Sequence, residues 1–407
     1  MRILHVVTAF PRGPGDIIAP WLIELLRRQR AAGIEVEVFA PAYRGGGNTE
    51  FEGIPVHRFR YFPGRWEDLT HDQGTVDRVG RSLRYKLMAP FYALAGMRAA
   101  WRLARQHQFD IVHVHWPVPH ALFGWAARRG SRGRTRVVTL WYGIELRWVK
   151  SRLPWLKQFL KWALKTSDQV VAISSYTARE IADLVHVTVR VIPYGLGFAE
   201  SLAESRAPGG GAGGAAGSFL ILYVGNLIPR KGVRFLIDAL HRLPPTIPAR
   251  LLILGEGTDR PTLELQVRQL GLNGRVVMPG RVPEPDLHRA FHEANVLVLP
   301  SIVDKRGDTE GLGVVLIEAM AYRIPVIGSA IGGITDIISD GKTGLLVPPE
   351  DPAAIAAAIE RIATDPTLAE RLALAGSQRV RERFGWDAII AAWQECYAAA
   401  RQPNPRA

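Results

Sequence analysis

With 407 residues, of which 47% are hydrophobic, the chain is long enough for two domains with complete cores, and a wholly disordered chain is excluded. Its single cysteine, Cys396, excludes an internal disulfide framework and is typical of a reducing compartment, so we expect a cytoplasmic protein. The formal net charge of +13 indicates either an anionic partner or a solvated basic surface.

The first part of the chain alternates between strand and helix patterns. Strands are predicted at residues 2–10, 34–41, 109–117 and 135–143, a helix at 19–33, and a strand followed by a Ser/Thr turn and a helix within 169–184. This βαβ alternation predicts a parallel sheet, whose ligands bind beyond the carboxyl ends of its strands. The first apolar run is short and lacks a cleavage pattern, so neither a leader nor a membrane-spanning segment is expected.

Two segments, residues 78–105 and 146–165, interleave Arg and Lys with large apolar side chains. The second segment carries Trp148, Trp155 and Trp162 at helical spacing. This pattern is typical of a helix on an anionic membrane surface, and a helix packed on its own domain with a solvated basic face explains it equally well. No nucleic-acid partner is expected, because no nucleic-acid-binding motif is present.

Residues 204–218, ESRAPGGGAGGAAGS, are rich in Gly and Ala and predict a flexible linker, after which the alternation restarts at Phe219. We therefore expect an α/β protein of two Rossmann-like, doubly wound domains that face each other across a cleft. The predicted parts are a first domain at 1–203, a linker at 204–218, a second domain at 219–383, and a C-terminal helix at 384–407 that crosses back to the first domain.

The turn GNLIPRKG, residues 225–232, lies between a predicted strand and helix. Its glycines let backbone N–H groups approach an anion, the helix N-terminus favours negative charge, and Arg230 and Lys231 add full positive charges. A diphosphate is the natural ligand of such a turn. The phosphate loop of nucleotide triphosphatases is excluded, because the glycine spacing differs and no Ser or Thr follows the lysine.

Two carboxylates, Glu310 and Glu318, belong to the stretch EGLGVVLIEAM. If the residues after Gly313 are helical, the two acids lie about 12 Å apart along the axis, which is too far for the acid pair of a retaining glycoside hydrolase. We interpret them as contacts to different parts of one long ligand. A helix-start carboxylate and a solvated helix residue remain the alternative.

The basic turn together with Glu310, seven residues and Glu318 resembles the donor-side signature of the family 4 retaining glycosyltransferases, which have the GT-B fold. The resemblance covers nearly all of residues 219–384, through LLILGEG, VVMPGRVPEPDLHRAF, ANVLVLPS and GKTGLLVPPEDP. It is looser in the first domain, where DIVHVHWPVP and VVAISSYT carry it.

The resemblance implies roles for the matching residues of the second domain. Arg230 and Lys231 neutralise the diphosphate of the donor, Glu310 holds hydroxyls of the transferred sugar, and Glu318 accepts hydrogen bonds from the nucleotide ribose. Backbone groups of the donor site are expected from Gly225, Asn226, Gly257, Gly311, Leu312, Gly313 and Val314, and base contacts from Arg281 and Val282. Asn226 departs from the family, which usually has arginine there and so gains one more phosphate contact.

In the first domain, Gly15 matches the glycine loop that closes over the diphosphate and the acceptor, and Asp16 is a candidate for positioning an acceptor hydroxyl. A tight turn alone explains this loop equally well. The family histidine of a Thr-x-His-Gly context is replaced by Trp141 or Tyr142, whereas Glu145 keeps the acidic position that often follows.

The stretch HVHWPVPH contains three histidines, of which His113 and His115 alternate on one strand face and His115 is an acceptor-side candidate. We favour polar or core histidines over a metal site, because no third ligand is spaced nearby. No metal is expected at the diphosphate either, since the chain lacks an Asp-x-Asp motif.

The sequence thus predicts a metal-independent, retaining glycosyltransferase of the hexosyltransferase type (EC 2.4), without a cofactor, that moves a sugar from a nucleotide diphospho-sugar to a hydroxyl. A lipid-linked or surface-polysaccharide acceptor and a peripheral position at the inner face of the cell membrane are expected from the basic segments. The alternatives are a nucleotide-sugar epimerase or phosphorylase of the same fold, and a non-catalytic protein that binds a nucleotide sugar or a membrane surface.

Overall fold

The computed structural model describes residues 1–13, 16, 18–70, 82–151, 154–196 and 218–402, without the side chains of residues 150 and 151. These residues belong to two compact units. The first consists of Met1–Ile173, Thr177–Pro193 and the C-terminal segment from Ile389 onward, and the second of Ser174–Tyr176 and Tyr194–Ala388. The predicted linker lies, except for Ser218, outside the described residues, so the predicted domain bounds stay a prediction.

The first unit is built on an eight-stranded sheet with the order β3-β4-β2-β1-β5-β6-β7-β8. The strands are β1 Arg2–Val6, β2 Glu35–Pro41, β3 Thr49–Phe51, β4 Ile54–Phe59, β5 Ile111–His115, β6 Arg136–Trp141, β7 Gln169–Ala172 and β8 Val189–Val191. All neighbouring strands run parallel except β3 and β4, which pair antiparallel. The strand order reverses between β1 and β5, and this reversal makes their carboxyl ends the switch point of the sheet.

The α-helices up to Leu184, in chain order, are α1 Pro20–Ala31, α2 Leu83–Gln106, α3 Pro117–Gly130, α4 Ile144–Ser151, α5 Lys157–Thr166 and α6 Ser175–Leu184. Leu4, Val6, Val112 and Val114 point to one face of the sheet and join a buried apolar cluster with side chains of α2 and α3. The alternate residues of β1 and β5, among them His5 and His113, face the opposite side. One face of this sheet thus packs on an apolar cluster, while the other face carries histidines.

The basic stretch at residues 146–165 is not one helix. It is divided between α4 and α5, with a 3-10 turn at Pro154–Leu156 between them. Pro154 lacks a backbone N–H, which suits the first position of this turn and not the interior of a continuous helix. In contrast, the segment at 78–105 is a continuous helix from Leu83 onward.

The second unit has a six-stranded, fully parallel sheet with the order β11-β10-β9-β12-β13-β14. The strands are β9 Phe219–Val224, β10 Ala249–Leu254, β11 Val276–Gly280, β12 Val296–Leu299, β13 Val326–Ser329 and β14 Leu345–Val347. The helices that follow are α7 Val233–Arg242, α8 Arg260–Gln269, α9 Glu284–Glu293, α10 Val314–Ala321, α11 Ile334–Ile337, α12 Pro352–Thr364, α13 Pro366–Arg383 and α14 Trp386–Arg401. The order reverses between β9 and β12, so their carboxyl ends form the switch point of this sheet.

The central strands of the second sheet are covered on both faces. Ile221, Leu222, Val296 and Leu297 have no exposed surface, as expected for parallel strands between two helical layers. No helix among the described residues has the length and apolar character needed to cross a bilayer. Cys396, on α14, is fully buried, and burial raises the pKa of its thiol to about 12.

Candidate functional site

The residues predicted to bind the donor lie in loops that follow neighbouring strands of the second sheet. Gly225, Asn226, Arg230 and Lys231 follow β9, Gly257 follows β10, Arg281 and Val282 follow β11, and Glu310 to Val314 follow β12. Carboxyl ends of parallel strands share one edge of the sheet, so the fold places all these loops at that edge.

Glu310 is the centre of a buried polar cluster that bridges the loops after β9 and β12. Its Oε2 atom accepts hydrogen bonds from Lys231 Nζ at 2.5 Å, from Arg230 Nη1 at 3.2 Å and from Ser301 Oγ at 3.2 Å. Among the described residues, no group donates to the other oxygen, Oε1. One carboxylate oxygen of Glu310 is therefore occupied within the protein, and the other has no donor among the described residues.

The charge state of Glu310 is set by its two cations. Burial acts to raise the pKa of the carboxyl, but the charges of Lys231 and Arg230 outweigh burial, and the net pKa lies below the ordinary value. Glu310 is therefore a carboxylate at neutral pH. In this form it accepts hydrogen bonds and has no proton to donate.

The turn after β9 is fixed at several backbone positions. Tyr223 is buried and its hydroxyl donates to the Asn226 carbonyl at 3.0 Å, while the Asn226 side chain is exposed. Arg230 and Lys231 stand in a 3-10 turn, Pro229–Lys231, and the Arg230 carbonyl accepts from Ile302 N–H at 2.8 Å. The two cations are thereby held against the loop that carries Glu310.

Gly232 closes this turn with φ of 63°, in the left-handed region. A Cβ atom at this position would lie 2.1 Å from the Pro300 carbonyl oxygen, so only glycine permits the close approach of the two loops.

Gly311, Leu312 and Gly313 lead from Glu310 into α10. Gly313 has φ of 93° and directly precedes the first helical residue, Val314. The Glu310 carbonyl accepts from Gly333 N–H at 3.0 Å, which anchors the loop to the segment after β13. The first turn of α10 thus follows Glu310 after three residues, and Leu316 N–H in that turn donates to the Gly313 carbonyl at 2.9 Å.

Glu318 lies on α10, one turn from its start, and is half-buried. No described residue donates a hydrogen bond to its carboxylate, and burial raises its pKa to about 7. The helix begins at Val314, as expected for the residues after Gly313, so the helical rise applies from Val314 to Glu318 and not to the loop before it. The conclusion that the two acids contact different parts of a ligand does not depend on it and stays a prediction.

The remaining donor-side candidates are surface features. Gly257 approaches the loop after β9 so closely that a Cβ there would lie 2.1 Å from the Leu227 carbonyl oxygen. Arg281 is exposed and Val282 is half-buried. Both precede α9, and Pro283 is the cap residue of that helix.

In the first unit, the structure separates Trp141 from Tyr142. Trp141 is fully buried in an apolar cluster and its indole N–H donates to Thr139 Oγ1 at 3.0 Å, so it is a core residue that no ligand reaches. Tyr142 instead stacks on Trp116, and its hydroxyl lies 3.2 Å from His115 Nδ1. Of the two, only Tyr142 is positioned beside another acceptor-side candidate.

Glu145 and Asp16 have partners within the protein. Glu145 lies in the first turn of α4, and its Oε1 accepts a hydrogen bond from Tyr142 N–H at 2.8 Å. Burial raises the pKa of this carboxyl to about 7. Asp16 pairs with Arg12 at 2.6 Å. Gly15 lies outside the described residues.

Several residues of these sites were not predicted from the sequence. Ser301 contacts Glu310, Asp308 lies 3.5 Å from Arg230, and Tyr223 supports the turn after β9. Asp308 reaches Arg230 from another loop, whereas Ser301 is nine residues from Glu310 and Tyr223 is three residues from Asn226 along the chain. These contacts depend on how the loops fold, which residue spacing alone does not show. Position at the carboxyl end of a predicted strand was the one available signal.

Two family models match the chain. The model described as Glycosyl transferases group 1 matches residues 213–379, and the model described as Glycosyltransferase Family 4 matches residues 19–197.

Curated relatives match at comparable length. Over 330 residues the chain is 31% identical to a glycogen synthase of Mycobacterium tuberculosis, covering 77% of this chain and 76% of the relative. It is 29% identical over 361 residues to a GDP-mannose-dependent alpha-(1-6)-phosphatidylinositol monomannoside mannosyltransferase of Mycolicibacterium smegmatis, covering 85% of this chain and 93% of the relative.

A solved structure of similar fold is Anabaena HepE in complex with UDP and glucose. The TM-score is 0.71 at 19% sequence identity, and the match covers 98% of this chain and all of HepE. At that identity the likeness shows the fold, and it confirms the predicted α/β architecture of two parallel-sheet domains of the GT-B type.

Proposed function

The chain belongs to the glycosyltransferases of group 1 and family 4, enzymes that use a sugar nucleotide, and from this premise we propose that it acts with retention and without a metal at the diphosphate. The acceptor in this proposal is a hydroxyl presented at an anionic membrane surface.

The observation that carries the donor side is the asymmetry of Glu310. Its Oε2 is occupied by Lys231, Arg230 and Ser301, whereas Oε1 has no donor among the described residues. An ionised acceptor beside two cations suits a ligand with hydroxyl donors next to phosphate, which is the chemistry of a nucleotide sugar at its anomeric end. HepE, a structural neighbour, binds UDP and glucose, which supports the same class of donor.

In the proposed reaction, Arg230 and Lys231 stabilise the charge that grows on the leaving diphosphate, through N–H donors that their contacts with Glu310 do not use. The acceptor oxygen attacks the anomeric carbon on the face from which the diphosphate departs. The bond from carbon to diphosphate breaks, the glycosidic bond forms, and the hydroxyl proton passes to the leaving phosphate oxygen. Glu310 orients the sugar in this proposal, since its Oε2 is held by three donors of the protein and its Oε1 has none among the described residues.

The membrane side of the proposal rests on one face of α2. Leu83, Leu87, Phe91 and Leu94 are 72%, 59%, 55% and 64% exposed, and their spacing of three and four residues aligns them along the helix. The exposed cations around this face are Arg84, Lys86, Arg98, Arg102 and Arg105. Apolar side chains framed by cations complement a surface of anionic lipid. The mannosyltransferase relative is named for a phosphatidylinositol acceptor, which supports a lipid-linked acceptor here.

A donor assay with and without acceptor tests the transfer. Purified protein is incubated with a panel of nucleotide diphospho-sugars, with EDTA present, alone and with membrane lipid extracts. We expect nucleoside diphosphate to be released only when acceptor is present, with an α-configured product from an α-configured donor.

Three results would contradict the proposal. Release of a free epimer without acceptor would favour an epimerase, and an inverted product would exclude retention. Activity that EDTA abolishes and a divalent cation restores would exclude a metal-free diphosphate site. Lys231→Ala is the matched inactive control, because it removes a cation from the diphosphate site and keeps Glu310.

A further inference from the structure

A cluster of three histidines lies inside the first unit, at the switch point of its sheet. His5 of β1 is in register with His113 of β5, and His115 is two residues further along β5. Side chains alternate along a strand, so the three imidazoles point to the same face. All three are buried, and one ring nitrogen of each lies within 4.8 Å of one ring nitrogen of both others.

Two buried ring nitrogens of this cluster lack a hydrogen-bond partner among the described residues. His5 Nδ1 lies 3.0 Å from His115 Nε2, but His5 Nε2 and His113 Nε2 have no partner among the described residues, although both atoms are buried. Buried polar atoms are almost always satisfied, so two unsatisfied imidazole nitrogens in one cluster require an explanation.

Two of the three rings are held by polar groups outside the cluster. His113 Nδ1 lies 2.8 Å from the Tyr397 hydroxyl, which also accepts from Gln29 Nε2 at 2.9 Å, and His115 Nδ1 lies 3.2 Å from the Tyr142 hydroxyl. Burial lowers the pKa of His5 to about 3, and the Gln29 side chain opposes this effect. Histidines that bind a metal through one nitrogen typically have the other nitrogen held by such a polar group.

We propose that His5, His113 and His115 form a binding site for a first-row divalent transition metal, with Zn²⁺ as the best fit and a water molecule as the fourth ligand. Neutral imidazoles suit Zn²⁺, and sets of three histidines bind it in known enzymes. Donor atoms of a tetrahedral zinc site lie about 3.3 Å apart, given bonds of about 2.0–2.1 Å, so binding would draw the three nitrogens closer than the 4.8 Å within which they lie.

The site lies within the first unit, since all its residues belong to that unit. Its residues come from two neighbouring strands, β1 and β5. The ring of Trp393 packs beside them, with its centroid 4.4 Å from that of His113. The proposed role is to stabilise the first unit.

His120 is excluded as a fourth ligand, although it is buried nearby. Its Nε2 lies 2.9 Å from the Tyr92 hydroxyl, and its Nδ1 lies 2.9 Å from the Trp116 carbonyl oxygen. Both ring nitrogens of His120 therefore have partners outside the cluster, whereas His115 Nε2 faces His5 of the cluster itself.

The test uses the full chain without a histidine tag. Protein stripped with a strong chelator is loaded with Zn²⁺ or Co²⁺, desalted, and analysed for bound metal. We expect one metal per chain, a rise in melting temperature with added Zn²⁺, and a visible Co²⁺ absorption typical of four-coordinate nitrogen ligands. His5→Gln and His113→Gln should lose all three signals, while His186→Gln, at an exposed histidine, keeps them.

Equal metal binding by His5→Gln and the parent chain would overturn the site, as would the absence of bound metal from a folded parent chain. The histidine variants could lose metal because they fail to fold, so Tyr397→Phe serves as a second variant. It keeps all three imidazoles and removes only the hydroxyl that lies beside His113 Nδ1. It should weaken Zn²⁺ affinity by about 10- to 100-fold in competition with a chromophoric chelator. Unchanged affinity in Tyr397→Phe would overturn the assignment of His113 as a ligand through Nε2.

Discussion

Two glutamates eight positions apart are held in different protonation states by their surroundings. Glu310 is kept ionised by Lys231 and Arg230, whereas Glu318 has no donor among the described residues and its pKa is raised to about 7. By residue type alone, the two acids have the same ordinary pKa. Their difference arises from cations that approach Glu310 from another loop, and the sequence spacing of the two acids contains no information on that approach.

Replacing Glu318 should stabilise the ligand-free protein in a pH-dependent way. Below pH 4.5 the carboxyl is protonated in both folded and unfolded chains, so it adds no pH dependence. Between 4.5 and about 7 the unfolded chain ionises first, and the free energy of unfolding falls as the pH rises. Glu318→Gln removes this loss, and we expect it to gain about 1–2 kcal/mol at pH 8 and nothing at pH 4.

Denaturant unfolding of both chains at the two pH values measures this difference. In the same variant, donor affinity should fall at pH 8, because an ionised acceptor of ribose hydroxyls is lost. A stabilising effect that is equal at pH 4 and pH 8 would contradict the raised pKa of the Glu318 carboxyl.

Glu310→Gln should act mainly on catalysis. The amide keeps the shape of the side chain but removes the ionised acceptor, so we expect kcat/KM to fall by about 10- to 100-fold. Initial rates at varied donor concentration measure it. Glu264→Gln is the control, since Glu264 pairs with Arg260 at 2.8 Å on the surface of α8. Equal losses in the two variants would show a general effect on folding rather than a role for Glu310.

At the scale of elements, the predicted alternation located the strands well and their ends less well. Residues 2–10 were expected as one strand, but β1 ends at Val6. The basic segment at 146–165 forms two helices, because Pro154 interrupts it. Elements with strong apolar periodicity were thus predictable, whereas their ends depend on single residues and on tertiary contacts.

The turn after β9 can be tested with two glycines of similar backbone conformation. Gly232 has φ of 63° and Gly271 has φ of 67°, so alanine adds similar backbone strain at both. A Cβ would meet the Pro300 carbonyl at Gly232 but nothing within 4 Å at Gly271. We expect Gly271→Ala to lose only about 1 kcal/mol, and Gly232→Ala to lose more stability and most donor binding. Thermal unfolding and donor titration compare them, and equal effects would contradict the close contact.

The exposed face of α2 should determine membrane binding. Leu87→Glu and Phe91→Glu place a charge on this face, and we expect binding to vesicles with anionic lipid to fall at least about tenfold. Leu265→Glu, at an exposed leucine of α8, should bind like the parent chain. Co-sedimentation at low and high salt measures the fraction bound. Unchanged binding in the α2 variants, or binding of oligonucleotides instead, would contradict this surface.

At the scale of the whole molecule, family and fold were predictable, because the donor-side motif covers much of the second half and βαβ alternation recurs in both halves. The histidine cluster was not. His113 and His115 were visible as an alternating pair, but His5 is separated from them by more than a hundred residues and joins them only through the pairing of β1 with β5. Contacts made by sheet order stay hidden until the order is known.

Donor binding should be visible as a change in global stability. A ligand at 100 times its Kd adds about 2.7 kcal/mol to the free energy of unfolding, which corresponds to several degrees in Tm for a domain of this size. A thermal-shift screen of nucleotide sugars should therefore identify the donor. Lys231→Ala should show no shift with the same compound, and a shift of equal size in this variant would contradict the diphosphate site.

The buried thiol of Cys396 has a practical consequence for spectroscopy. It is the single cysteine among 407 residues, and with a pKa raised to about 12 it is poorly nucleophilic at neutral pH. A cysteine introduced by Leu94→Cys, at a position that is 64% exposed, would then be the one reactive thiol of the native chain. A single environment-sensitive fluorophore attached there would report directly on how deeply α2 enters a lipid surface, without first removing a natural residue from the core.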